Sequence, residues 1–140
     1  MSDKIYCYPN SDVLINKLNI HDRDKLREAE RKLTMLRLMD LLEKPVTGKF
    51  DFEHLRNIHK YIFQDIYSWA GKIRTVDIAK SNMFCKVPFI EMQASELFRK
   101  LQNDDYLKRL PKEKFVQKAA YYFSEINALH PFREGNGRTQ

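Results

Sequence analysis

The sequence predicts a mostly α-helical protein carrying one short β-hairpin, and three observations lead there. Apolar residues recur at steps of three and four over four separate stretches. Glycine numbers 4 and proline 5 in 140 residues, too few for the many tight turns of a sandwich or barrel. One segment, 72–87, abandons the helical spacing and alternates instead. With 43% hydrophobic and 31% charged residues, the chain reads as one globular domain with a core, not as collagen, low-complexity disorder or a coiled-coil rod.

The first helix is expected from Asp22 to Leu42. Asp22 or Asp24 can cap it, and Leu26, Ala29, Leu33 and Leu36 form its buried face. Pro45 and Gly48 end that run. Asp51 then caps a second helix with Leu55, Ile58 and Ile62 on one stripe, fading near Trp69-Ala70-Gly71. In 72–87, Arg74, Val76 and Ile78 alternate with Thr75 and Asp77. Lys80-Ser81-Asn82 makes a turn, and Met83 to Val87 returns as the second strand of a hairpin. Pro88 opens a third helix buried through Ile90, Ala94, Leu97 and Leu101. Pro111 opens a fourth, whose Phe115, Ala119, Tyr122, Ile126 and Leu129 make the cleanest stripe in the chain.

No stretch approaches the roughly 18 apolar residues of a membrane span, and Met1-Ser2-Asp3-Lys4 lacks the apolar run of a secretory leader. Cys7 and Cys85 are far apart and in no metal or redox spacing, so reduced thiols and a cytoplasmic setting are expected. Lys and Arg total 25 against 19 for Asp and Glu, a net charge of +6. The cations are interleaved with acids, as in Arg23-Asp24-Lys25-Leu26-Arg27-Glu28. They read as a solvated mixed face, with neither a nucleic acid nor a membrane as partner.

Chemistry concentrates in the last eleven residues, His130-Pro131-Phe132-Arg133-Glu134-Gly135-Asn136-Gly137-Arg138-Thr139-Gln140. A Gly-Asn-Gly loop entering a helix leaves backbone N–H groups free to cradle an anion. Arg138 adds a planar fork suited to phosphate oxygens. Glu134 is a hard carboxylate of the kind Mg²⁺ accepts beside phosphates and water. His130 can take a proton from a hydroxyl near neutral pH. A base, a magnesium ligand, a phosphate cradle and an arginine within nine residues are what phosphoryl or nucleotidyl transfer requires. No G-x-x-x-x-G-K-[ST] loop is present.

This stretch resembles the Fic-domain signature H-x-F-x-[DE]-G-N-G-R-x-x-R, matched at His130, Phe132, Glu134, Gly135, Asn136, Gly137 and Arg138. The closing arginine would fall one position past Gln140, so residues 1–140 are expected to be a single Fic domain stopping just after the post-motif helix begins. Leu55-Arg56-Asn57-Ile58-His59 and Ile66 to Arg74 resemble the family's helix before the flap and the start of the flap. The resemblance implies a helical Fic fold with a β-hairpin flap. It implies transfer of AMP from ATP, with Mg²⁺, to a Tyr, Thr or Ser hydroxyl of a target protein. His130 would be the base, Phe132 a core anchor and Glu134 the metal ligand. Arg133, Gly135, Asn136 and Gly137 would bind phosphate oxygens, and Arg138 would grip the β-phosphate. The flap residues Thr75, Val76, Asp77, Ile78, Phe84, Cys85 and Lys86 would clamp the target segment by strand addition.

Other readings stay open on the residues alone. Relatives of the Doc type carry Lys where this chain has Gly137 and act as kinases; phosphocholine transfer and AMP removal also occur in the family. A toxin-like module that binds an inhibitory partner is a non-catalytic alternative. Such partners restrain Fic proteins with [ST]-x-x-x-E-[GN], and no Ser or Thr in this chain has a Glu four residues on. That Glu would come from a small separate antitoxin-like protein, the favoured source, or from residues past Gln140, or would not exist; the toxin–antitoxin and cell-filamentation settings of the family are expected with the first. Delivery into another cell as an effector is compatible with this reading. His54 and His59, five apart on one helix, read as structural, and His21 as a loop residue near a cap. Lys72 and Arg74 either reach nucleotide or target, or form a solvated hairpin edge.

Overall fold

Among the described residues five α-helices carry the fold: α1 Arg23–Glu43, α2 Phe52–Phe63, α3 Ile90–Asn103, α4 Lys112–Leu129 and α5 Asn136–Thr139. Short 3₁₀ turns at Asp3–Tyr6, Val87–Phe89 and Asp105–Leu107 join them. The structure, a computed structural model, describes residues 3–140. Of the two candidate caps of α1, Asp22 does the work, its Oδ1 accepting the Lys25 N–H at 2.9 Å. Asp51 caps α2 in the same way through the His54 N–H, also at 2.9 Å.

α1 packs on α2, α2 on α5, and α3 on α4. One apolar cluster joins Val13 and Leu26 to Ile62, Phe63, Ile66, Tyr67 and Ala70, with Leu33, Leu38, Leu41 and Ile58 against it. A second joins Ile90, Ala94 and Leu129 to Phe52, Ile73, Cys85 and Val87. The predicted faces of α2 and α3 are the buried ones, with Leu97 and Leu101 half-buried. Two expected core positions are exposed. Leu36 is 60% exposed, because two steps of three against one of four carry it about 80° around the helix from Leu26. Thr34 takes the inward position instead, at 2%. Phe115 is 47% exposed: it lies in the first turn of α4, and the cluster holding Leu129 is at the other end. α2 stops at Phe63 rather than fading near Trp69. The Ile66 N–H turns back to the Phe63 carbonyl at 3.0 Å, and Gly71 takes a left-handed φ of 79°.

The segment 72–87 is not a two-stranded ladder. A single antiparallel bridge, Ala79 with Met83, closes its tip, supported by the Phe84 N–H on the Ile78 carbonyl at 3.2 Å. The arms' other backbone bonds go to the end of α4, Arg74 N–H to the Pro131 carbonyl at 2.9 Å and Cys85 N–H to the Ala128 carbonyl at 3.0 Å, and the arms meet each other through Val87 N–H on Asp77 Oδ1 at 2.9 Å. The alternation is real, since Arg74 and Val76 are buried while Thr75 and Asp77 are exposed. What the arms pair with, however, is the end of α4. No described helix is long and apolar enough to cross a membrane.

Candidate active site

α4 ends at His130, which adopts a left-handed φ of 47° and ψ of 61°. Few non-glycine residues take this conformation, and histidine is among those that do. Its N–H closes on the Ile126 carbonyl at 3.0 Å, and Pro131 prevents the helix from continuing. The ring Nδ1 lies 3.2 Å from the Asn127 carbonyl. A carbonyl can only accept, so Nδ1 carries the proton and Nε2 is the free basic atom. The ring of Phe84, from the flap, stacks on the imidazole at 3.7 Å and 6°. Burial holds the His130 pKa below its ordinary 6.5; Lys80 and Arg74 add to that, against the opposing bond to Asn127. The imidazole is therefore neutral and ready to accept a proton at pH 7.

Arg74 is neither a nucleotide contact nor a solvated edge. At 1% exposure it is the largest fully buried side chain among the described residues. Its Nε donates to the His130 carbonyl at 2.7 Å, Nη1 to the Val76 carbonyl at 2.9 Å, and Nη2 to the Cys85 carbonyl at 2.5 Å. It thus satisfies orphan carbonyls at the end of α4 and binds both arms of the flap to the His130 backbone.

The loop after His130 is held from within. Phe132, at 1% exposure, anchors it in the core. The Asn136 side chain accepts from the Phe132 N–H at 2.9 Å and donates to the Phe132 carbonyl at 2.7 Å. Asn136 Nδ2 and Oδ1 therefore shape the loop; what this residue has for a phosphate is its backbone N–H. Gly135 has φ 82°, and a Cβ there would stand 2.1 Å from Phe63 Cζ, so only glycine fits. A Cβ at Gly137 would meet nothing within 4 Å, which leaves the space above this peptide open. His59 supports the loop from α2. Its Nδ1 accepts the Gly71 N–H at 2.8 Å, so its Nε2–H donates to the Glu134 carbonyl at 2.9 Å. Its ring stacks on Phe132 at 3.9 Å.

A cavity of about 170 Å³ separates the flap, through 78–80 and Phe84, from His130 and residues 133–137. Arg133 borders it, its guanidinium 5.8 Å from the ring of Tyr6. Lys80, at the tip of the flap, faces it as well. Arg138 sits behind Gly135, its guanidinium 4.8 Å from the Phe63 ring and bonded to α1. Of the other flap residues, Thr75, Asp77 and Lys86 are exposed and Ile78 and Cys85 half-buried, whereas Val76 is buried. Thr75 is itself held, its N–H donating to the Tyr6 hydroxyl at 2.9 Å.

Glu134 fits a magnesium ion that arrives with phosphates. Its side chain is 45% exposed beside the cavity, and Oε1 accepts the Gly135 N–H at 3.1 Å. Among the described residues no group of three or more His, Cys, Asp or Glu stands together as a cage. One carboxylate is the donor set that suits Mg²⁺ completing its shell with phosphate oxygens and water.

The sequence reading missed Glu30, Thr34 and Tyr67 around Arg138, Lys80 at the cavity, and the part His59 plays beneath the loop. One signal was available. Glu30 and Thr34 interrupt the apolar face of α1 beside Leu26 and Leu33, where a polar residue needs a partner.

Similarity to known proteins runs along nearly the whole chain. The pattern of the Fic/DOC family matches residues 49–140. The protein adenylyltransferase VbhT of Bartonella schoenbuchensis is 42% identical over 139 residues, 99% of this chain and 29% of that protein. The probable protein adenylyltransferase Fic of Escherichia coli is 40% identical over 147 residues, all of this chain and 72% of that protein. The crystal structure of BepC, a VirB-translocated Bartonella effector protein from Bartonella tribocorum with bound AMPPNP, superposes with a TM-score of 0.91 at 27% identity. It covers 97% of this chain and 72% of that one. The chain thus spans under a third of VbhT and about seven-tenths of the other two.

Proposed function

Because the chain belongs to the Fic/DOC family, we propose that it is a protein adenylyltransferase, moving AMP from ATP to a Tyr, Thr or Ser hydroxyl of a target protein. The observation that carries this reading is the single cavity in which His130 faces the 133–137 loop across 170 Å³. His130 Nε2 takes the hydroxyl proton while Nδ1 stays on the Asn127 carbonyl. The hydroxyl oxygen attacks the α-phosphorus and pyrophosphate leaves. The backbone N–H groups entering α5 and the side chains of Arg133 and Arg138 bind the phosphate oxygens. Glu134 would hold Mg²⁺, which neutralises charge on the phosphates. The flap supplies Asp77, Ile78 and Lys86 as the outward edge on which a target strand can lie. Relatives named protein adenylyltransferase and a relative with bound AMPPNP support the nucleotide and the reaction. Restraint by a separate antitoxin-like protein supplying a Glu belongs to the same reading.

The test is incubation of the chain with cell lysate and ATP labelled at either the α- or the γ-phosphate. Protein labelled from the α position alone is the expected result. Label from the γ position would make it a kinase, and no label with a lysate that the E. coli relative modifies would overturn the enzymatic reading.

A further inference from the structure

Arg138 is held by a helix outside the stretch that the family pattern matches: α1 spans Arg23–Glu43, and the match begins at residue 49. Arg138 Nη2 donates to Glu30 Oε1 at 2.5 Å and Nη1 to Thr34 Oγ1 at 3.3 Å. The Phe63 ring lies 4.8 Å from the guanidinium carbon, and the Glu134 carboxylate is 3.8 Å from Nη2. Glu30 is itself fixed: its side chain is 15% exposed, and its second oxygen accepts the hydroxyl of Tyr67, a residue 1% exposed. Thr34, 2% exposed, donates its own hydroxyl hydrogen to the Arg31 carbonyl at 3.4 Å, which leaves Oγ1 to accept from Arg138.

Of the five N–H donors of a guanidinium, two go to α1. An arginine otherwise loses side-chain entropy on being ordered; here that ordering precedes any ligand. A phosphate could in principle displace Glu30, but that would strand a mostly buried carboxylate and the Tyr67 hydroxyl without partners, which is costly. The favourable course is for Glu30 to stay and the phosphate to add to the remaining donors.

Resting on the adenylyltransferase reading above, we propose that Glu30 and Thr34 are positioning residues for the nucleotide. They lock Arg138 where it grips the phosphate beyond the α position, which makes α1 part of the nucleotide site. Tyr67 holds Glu30 in that role.

The test is calorimetric titration of ADP with Mg²⁺ into the wild-type chain, Glu30→Gln, Arg138→Ala and the double variant. Glu30→Gln is expected to weaken ADP about ten-fold or more, the effect of a charge-assisted bond, and to have almost no effect in the Arg138→Ala background. An unchanged affinity, a tighter affinity (Glu30 competing with phosphate) or a loss additive with Arg138→Ala (a merely structural role) each overturns the proposal. Thr34→Val is judged by the same criteria should Glu30→Gln fail to fold. A wild-type chain that does not bind ADP removes the nucleotide reading itself, an outcome distinct from the other three.

Discussion

Mild acid should destabilise this protein chiefly through His59. The ring is fully buried, Nδ1 accepts the Gly71 N–H and the Nε2–H bonds the Glu134 carbonyl, so it has no place for a second proton. Burial pushes its pKa down to about 4 from the ordinary 6.5. Between those values the unfolded chain binds the proton and the folded one does not, so stability falls as pH falls. The contribution is complete above pH 6.5, declines below it and is exhausted below about pH 4. The interval is worth about 3 kcal/mol, about 2 of it gone by pH 5. Urea unfolding followed by Trp69 fluorescence, at pH 7 and at pH 5, reads this directly, because the indole lies 6.0 Å from the His59 ring. His130 is also shifted down, so the comparison is made in a His130→Gln background. With a slope of about 2 kcal/mol per molar urea, the midpoint should fall by about 1 M. His59→Gln should be less stable at pH 7 and nearly flat between pH 7 and 5. An equal fall with and without His59 would refute the reasoning.

The other expectations concern the loop and the base. His130→Ala should lower transfer about 10²–10⁴-fold while circular dichroism and ADP affinity stay near wild type; a wild-type rate would dismiss it as the base. Gly135→Ala should destabilise by about 2–4 kcal/mol, from the left-handed strain and the clash with Phe63, whereas Gly137→Ala should leave the melting temperature within a few degrees. Equal melting temperatures for the two would contradict the geometry. Lys80→Met removes a cation that holds the His130 pKa down, so the acid limb of the rate profile should move up towards 6.5. Burial is the larger cause and should keep it below that value; a limb that moves down would mean Lys80 does not face the base.

The helices were legible because each carries its buried residues at steps of three and four along its own sequence, and the caps Asp22 and Asp51 need only residues three positions away. The site loop was legible for a similar reason: His130 to Arg138 carries its chemistry within a short stretch. The flap was legible in its alternation and in the turn at Lys80-Ser81-Asn82 but not in its pairing, since its arms bond Ala128 and Pro131, more than forty residues further along, and no local pattern announces such a partner. Arg74 shows the same limit. A charge in an alternating segment is usually solvated, and only the convergence of the Val76, Cys85 and His130 carbonyls makes a buried guanidinium stable here. Leu36 and Thr34 illustrate the opposite error, in which hydrophobicity outweighed angle. Two residues apart on α1, they exchange the roles that their chemistry suggests, because Arg138 needs an oxygen at the inward position.

The loop owes its shape to bonds that do not involve a ligand. Asn136 closes on the Phe132 backbone, Thr139 Oγ1 donates to the Gly135 carbonyl at 2.8 Å, and His59 holds the Glu134 carbonyl. Phe63 fills the space where a side chain at Gly135 would stand. His59 and Phe63 are one turn apart on α2, and both are fully buried in the core that α2 shares with α1. The floor of the site is therefore the core of the protein, and a change that loosens α2 reaches the backbone N–H groups of the 133–137 loop at once. Such a floor requires no ordering when a nucleotide arrives, which is the condition under which fixed N–H dipoles are most effective towards developing charge. The roof differs: between its tied arms the flap is closed by a single bridge at its tip. On the proposed reading, adaptation to a target segment falls to the flap, while the N–H groups offered to the phosphates beneath it remain fixed.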